Sequence, residues 1–161
     1  MSCWIAQMKP FSKEDREKDF VKTFQENCIE HKICGMGWNY PDTFKPKNDE
    51  KKPSKTIDNY KQDYISYERE TDPKWSSSHF STAINAYRDI KREDYILTRL
   101  FKSNECYIGK VDEEAHYDKK DLNFDYKNQY SWIVGVEWKA IGHFSNIPNA
   151  LRGIMQCRMN A

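Results

Sequence analysis

Hydrophobic and polar positions along the chain switch between a period of two and a helical period, and the switches mark out the elements. Trp4 to Met8 reads as a short opening strand ended by Lys9-Pro10, after which Ser12 with Asp15 three residues on offers a helix cap. Phe20, Val21, Phe24 and Cys28 recur at helical spacing through about His31, so that face is core. Ile33 to Met36 makes a second strand, and Tyr40 to about Ser54 reads as loop. Between Thr56 and Glu70 the spacing of Ile57, Tyr60, Tyr64 and Tyr67 predicts a polar helix with one apolar side, broken by Asp72-Pro73. Ser76-Ser77-Ser78 can cap a further helix carrying Phe80, Ala83, Ile84 and Tyr87. Tyr95 to Phe101, the Ser103-Asn104 turn and Cys106 to Val111 read as an antiparallel hairpin, with Gly109 in its second strand. Asp112 to Gln129, acidic and aromatic, reads as a long loop or irregular edge. Tyr130 to Ala140 returns to strand, and Pro148 to Met155 closes the pattern as a short helix.

The order β-α-β-α-α-β-β-β-α predicts an α+β domain in which helices flank a small, curved, mainly antiparallel sheet, with a small β-barrel as its closed form. A length of 161 residues suits a single domain over 1–161, interrupted by a lysine-rich insert at about 40–56. The chain is 32% charged but 14% aromatic, a balance that argues for folding and supplies many flat surfaces. With a net charge of +1 no global cationic field favours nucleic acid, so any such binding must use local patches. Five cysteines with irregular spacing and no CxxC pair argue against a zinc site and for a reducing compartment. No signal pattern and no long apolar run is present, so a cytoplasmic protein with no membrane partner is expected. His31, His79, His116 and His143 do not pair at ligand spacing, so neither metal nor cofactor is expected.

Candidate chemistry centres on Ile33-Cys34-Gly35-Met36-Gly37-Trp38, an apolar run studded with glycine directly after a helix. Glycine there permits close approach to the backbone, and Trp38 would form a flat pocket wall. The duller alternative is that Trp38 fills core. Trp4 and Trp138 sit in strand patterns and read as core, while Trp75 is either a staple onto the helix that follows it or an exposed stacking surface.

Four segments in order carry a family resemblance: Trp4-Ile5-Ala6-Gln7-Met8; Gly35-Met36-Gly37-Trp38; Tyr107-Ile108-Gly109-Lys110-Val111; and Val136-Glu137-Trp138 followed by Ile147-Pro148-Asn149-Ala150-Leu151. Together the chain resembles the PUA-like superfamily branch that contains the EVE and YTH domains and the N-terminal modules of prokaryotic restriction proteins of the Mrr and McrB kind. The resemblance implies a small β-barrel flanked by helices that holds a flipped, modified base in an aromatic cage, in a restriction or defence setting. Trp38 matches the cage tryptophan, with Gly37 and Asn39 beside it. The second wall would come from Tyr117, Phe124, Tyr126 or Trp132, with Trp75 a further stacking candidate. Gln7 and Lys9 fall where such domains place groups near the base or phosphate. The insert between Tyr40 and Trp75 departs from the YTH pattern, so the preferred modification does not carry over.

A base taken out of a duplex loses stacking, which aromatic faces and edge hydrogen bonds must replace. Each stacked base regains roughly 1 to 3 kcal/mol, so two walls could offset extraction. Lys45, Lys47, Lys51, Lys52 and Lys55 against Asp49 and Glu50 make a local cationic excess suited to phosphates, and the helix start at Ser76 to Ser78 could present N–H groups to another. The expected partner is therefore DNA or RNA carrying a modified base, with a nuclease or NTPase effector in the same polypeptide or a separate subunit. A different class is a Mg²⁺-dependent nuclease, since Asp125 with Glu137-Trp138-Lys139 resembles the Asp plus Glu-x-Lys constellation of restriction nucleases. A third is a protein-binding inhibitor module.

Overall fold

A computed structural model describes residues 1–6, 19–36, 56–117 and 132–157. Its strands are β1 (Cys3–Ala6), β2 (Ile33–Met36), β3 (Tyr95–Arg99), β4 (Glu105–Tyr117) and β5 (Trp132–His143). Its helices are α1 (Asp19–Glu30), α2 (Ile57–Thr71), α3 (Ser78–Asp89) and α4 (Asn149–Cys157), with a 3-10 turn at Phe144–Asn146. The predicted α+β class and element order hold. The sheet is a curled, mixed half-barrel of order β1-β3-β4-β5-β2. It is a half-barrel rather than a closed one, and one pair departs from the antiparallel pattern: β1 runs parallel to β3, with Trp4 beside Ile96 and Ala6 beside Thr98.

Contacts divide the chain into two compact units, the first comprising Met1–Gly35, Ile90–Glu114 and Val134–Ala161, and the second Met36–Asp89 and Ala115–Ile133. In the first, α1 buries Phe24 and Cys28, one turn apart, and ends where Lys32 takes a left-handed φ of 55°. Gln25 is buried too, and its side-chain oxygen accepts from the Phe101 N–H at 2.7 Å, which ties α1 to the turn after β3. β3 and β4 pair antiparallel from Tyr95 opposite Lys110 to Arg99 opposite Cys106. Asn104, with φ 59°, closes the turn between them, as the Ser103-Asn104 signal predicts.

Two glycines set the β4–β5 contact. A Cβ on Gly109 would collide with Val136 and lie 2.6 Å from Trp138 Cε3, and one on Gly135 would lie 2.7 Å from the Glu113 Cβ. Residue 109 thus meets 136 and 138 while 113 meets 135, so the two strands run in opposite directions. The Trp138 ring lies across Gly109, and its indole N–H donates to the Ile33 carbonyl of β2 at 3.0 Å. On α4, Met155 packs with Cys106 and Ile147, and Phe144 and Leu151 border that cluster.

In the second unit the hydroxyl of Thr56 caps α2 by accepting from the Asn59 N–H at 3.3 Å. Tyr60 and Tyr64 form its buried face. Phe80, Ile84 and Tyr87 bury the matching face of α3, whose first turn closes on the Ser77 carbonyl. Lys61 of α2 donates to the Asn85 side chain of α3 at 2.9 Å.

Three strand boundaries differ from expectation by two residues or more, the first being β3, which ends at Arg99 rather than Phe101 because the turn begins there. Asp112 to Tyr117, read as loop, continue β4, because an exposed acidic run still offers its backbone to a neighbouring strand. β5 likewise extends past Ala140 to His143. Among the described residues no helix is long and apolar enough to cross a membrane.

Candidate functional site

The strands that border the segments expected to form the pocket walls are neighbours in the sheet. β2, which leads into Gly37-Trp38, neighbours β5, and β5 neighbours β4. Because β4 and β5 are antiparallel, the end of β4 at Tyr117 and the start of β5 at Trp132 lie at the same end of the sheet. Met36, the last three residues of β4 and the first two of β5 are all grouped with the second unit. Trp38, Gly37, Asn39, Gln7, Lys9, Phe124 and Tyr126 lie outside the described residues, as do Lys45, Lys47, Lys51, Lys52, Lys55 and Asp125.

Two candidate rings are described in full, and both pack within the second unit. Trp132 is 4% exposed, with its ring edge-on to Tyr60 at 5.9 Å between centroids. Tyr60 in turn stacks on Tyr64 at 6.1 Å. Trp75 is half-buried and meets Tyr64 and Phe80, each at 6.2 Å, which is the staple arrangement onto α3. Tyr64 and Phe80 are closest, at 4.7 Å. Such ring pairs add about 0.5 to 1.5 kcal/mol each beyond burial, so these aromatics form the internal framework of the unit.

Ser78 is the first residue of α3, and its hydroxyl lies 3.2 Å from that of Ser76. The first turn of α3 contains no acidic residue, which leaves its dipole uncompensated there. Glu137 and Lys139 alternate on one face of β5, both exposed, and the Glu137 carboxylate pairs with Lys32 at 3.7 Å. Among the described residues no group of three or more His, Cys, Asp or Glu is arranged to hold a metal ion. Burial pushes the Cys106 thiol up, and the nearby Arg99 charge opposes this only in part. That sulfur is neutral at pH 7 and serves packing.

Trp4 and Trp138, expected in the core, are half-buried, and each spends its indole N–H on one acceptor, Asp94 Oδ2 at 2.9 Å and the Ile33 carbonyl. Two groups were not legible from the sequence. Asp94, within Arg92-Glu93-Asp94, looks like any solvated acid, yet it is buried and heavily hydrogen-bonded. Arg99 lays its guanidinium 3.9 Å from the Phe144 ring centre while bonding Asn104. Comparison with protein-family models, curated proteins and solved structures finds no match.

Proposed function

We propose that this chain is a non-catalytic nucleic-acid reader of PUA-like fold that receives a flipped, modified base between Trp38 and an aromatic of the 117–131 stretch, Tyr117, Phe124 or Tyr126. The observation that supports this reading most is the grouping of the ends of β2, β4 and β5 in one unit, since the chain reaches Trp38 two residues after β2 and Tyr117 at the end of β4. Trp75 and Trp132 then have a different role: packed against Tyr64, Phe80 and Tyr60, they stiffen the unit that presents the slot. Lys45, Lys47, Lys51, Lys52 and Lys55 supply phosphate contacts, with the Ser78 end of α3 as a further anion contact. Selectivity for a methyl group would come from a desolvated apolar gap, worth roughly tenfold to two-hundredfold in affinity.

The test is an anisotropy titration of the full chain with labelled DNA and RNA oligonucleotides, each with plain or methylated bases, at several salt concentrations. The reading predicts binding that weakens with salt and favours one modified oligonucleotide by about tenfold or more. Absence of oligonucleotide affinity even at low salt would overturn it. Strand cleavage on adding Mg²⁺ would replace it with the nuclease built on Asp125, Glu137 and Lys139.

A further inference from the structure

We propose that Asp94 is a polar clasp that makes β1 a strap, able to open on its own while the rest of the sheet stays folded. Among the described residues β1 is an edge strand hydrogen-bonded to β3, and none of its side chains is fully buried: Cys3 is exposed, and Trp4, Ile5 and Ala6 are half-buried. Its partner β3 differs sharply, with Ile96 and Thr98 at 0% exposure and β4 paired along its other edge. Apolar burial decides how strongly an element is retained, so β1 depends on its hydrogen bonds to an unusual degree.

Beyond the main-chain ladder to β3 and the Tyr95 N–H donated to the Ser2 carbonyl, the side-chain bonds that hold the strap lie at its two ends. At the start of β1 the Asp94 carboxylate accepts from the Ser2 N–H at 2.6 Å through Oδ1 and from the Trp4 indole N–H at 2.9 Å through Oδ2. The Lys91 N–H, donating to Oδ2 at 3.1 Å, holds the carboxylate in position from its own turn. At the far end the buried Thr98 hydroxyl donates to the Ala6 carbonyl at 2.9 Å. Asp94 is 4% exposed, and a charged acceptor shielded from water makes stronger bonds than a neutral one. Loss of that charge weakens both bonds and leaves one donor of the strap without its acceptor, whereas β3 keeps its pairing with β4 and its buried side chains.

Amide hydrogen exchange on the full chain tests this by comparing residues 3–6 with 105–111. Asp94→Asn, which keeps the shape but loses one acceptor, is expected to speed exchange in 3–6 by about tenfold or more. Residues 105–111 should change by less than about twofold. Trp4→Phe, which removes one donor, should move 3–6 in the same direction by a smaller factor. Equal acceleration of both segments, or unchanged exchange in 3–6, would overturn the proposal. If the Asn variant does not fold, the same contrast in Trp4→Phe decides it.

Discussion

In the first unit the tryptophans end on assigned hydrogen-bond acceptors, Trp4 on Asp94 and Trp138 on the Ile33 carbonyl, whereas in the second unit Trp75 and Trp132 meet other rings. The first arrangement rests on direction and close approach: an indole lies across a glycine, and a carboxylate collects N–H groups. It tolerates added volume badly. The second rests on the bulk of Tyr60, Tyr64, Phe80 and the two tryptophans, and it tolerates loss of volume badly. The sheet of the first unit thus fixes geometry, while the second unit is held by its aromatic cluster.

The sharpest way to break the contrast is to remove bulk from the second unit. Phe80, 1% exposed and 4.7 Å from Tyr64, should cost about 4 kcal/mol when replaced by alanine, read from urea denaturation. A cost under about 1 kcal/mol would mean the ring cluster does not hold that unit. The converse substitution adds one methyl group to the first unit. Gly109→Ala should cost about 3 kcal/mol, because the new Cβ falls on Val136 and Trp138 and both sit in a packed layer. Alanine at Gly153, where a Cβ meets nothing within 4 Å, is the control and should not destabilise.

A pH titration separates the polar clasp from both. The Trp4 indole first, then the Ser2 N–H, hold the Asp94 carboxyl below the usual carboxylate range, helped by the Met1 amino group at 3.9 Å. A depressed native pKa contributes stability that is complete above the unfolded value of about 3.9 and is lost as pH falls through the native one. The gap between wild type and Asp94→Asn should therefore be about 2 kcal/mol at pH 7 and shrink only below about pH 4. A gap independent of pH would show that the charge itself contributes nothing. The smallest effect is at the α2 cap, where Thr56→Ala should cost about 1 kcal/mol. A neutral result there would leave α2 held by Tyr60 and Tyr64 alone.

Structure is legible in the sequence where one residue type has one mechanical use. Ile33–Met36 is legible as a strand, and Ser76-Ser77-Ser78 as the start of a helix, because apolar runs and caps act over a few residues. Asp112–Tyr117 was not legible, since strand pairing there is carried by the backbone while the exposed acidic side chains look like loop. The parallel pairing of β1 with β3 joins residues about ninety positions apart, as with Ser2 and Asp94, and no local period encodes it. Of the candidate site, the neighbouring places of β4, β5 and β2 in the sheet follow from the strand order and not from any motif. Trp132 carries the same strand pattern whether it lines a slot or packs on Tyr60, so only the fold distinguishes the two.

The central claim, that the indole of Trp38 forms one wall of a base-binding slot, is tested most directly by measuring the ratio of Kd for plain and modified oligonucleotides in wild type and in Trp38→Ala, with a thermal melt of each. The account predicts that the ratio falls to about one, with binding weakened by roughly 1 to 3 kcal/mol and the melt little changed. An undiminished ratio in the folded variant would contradict it.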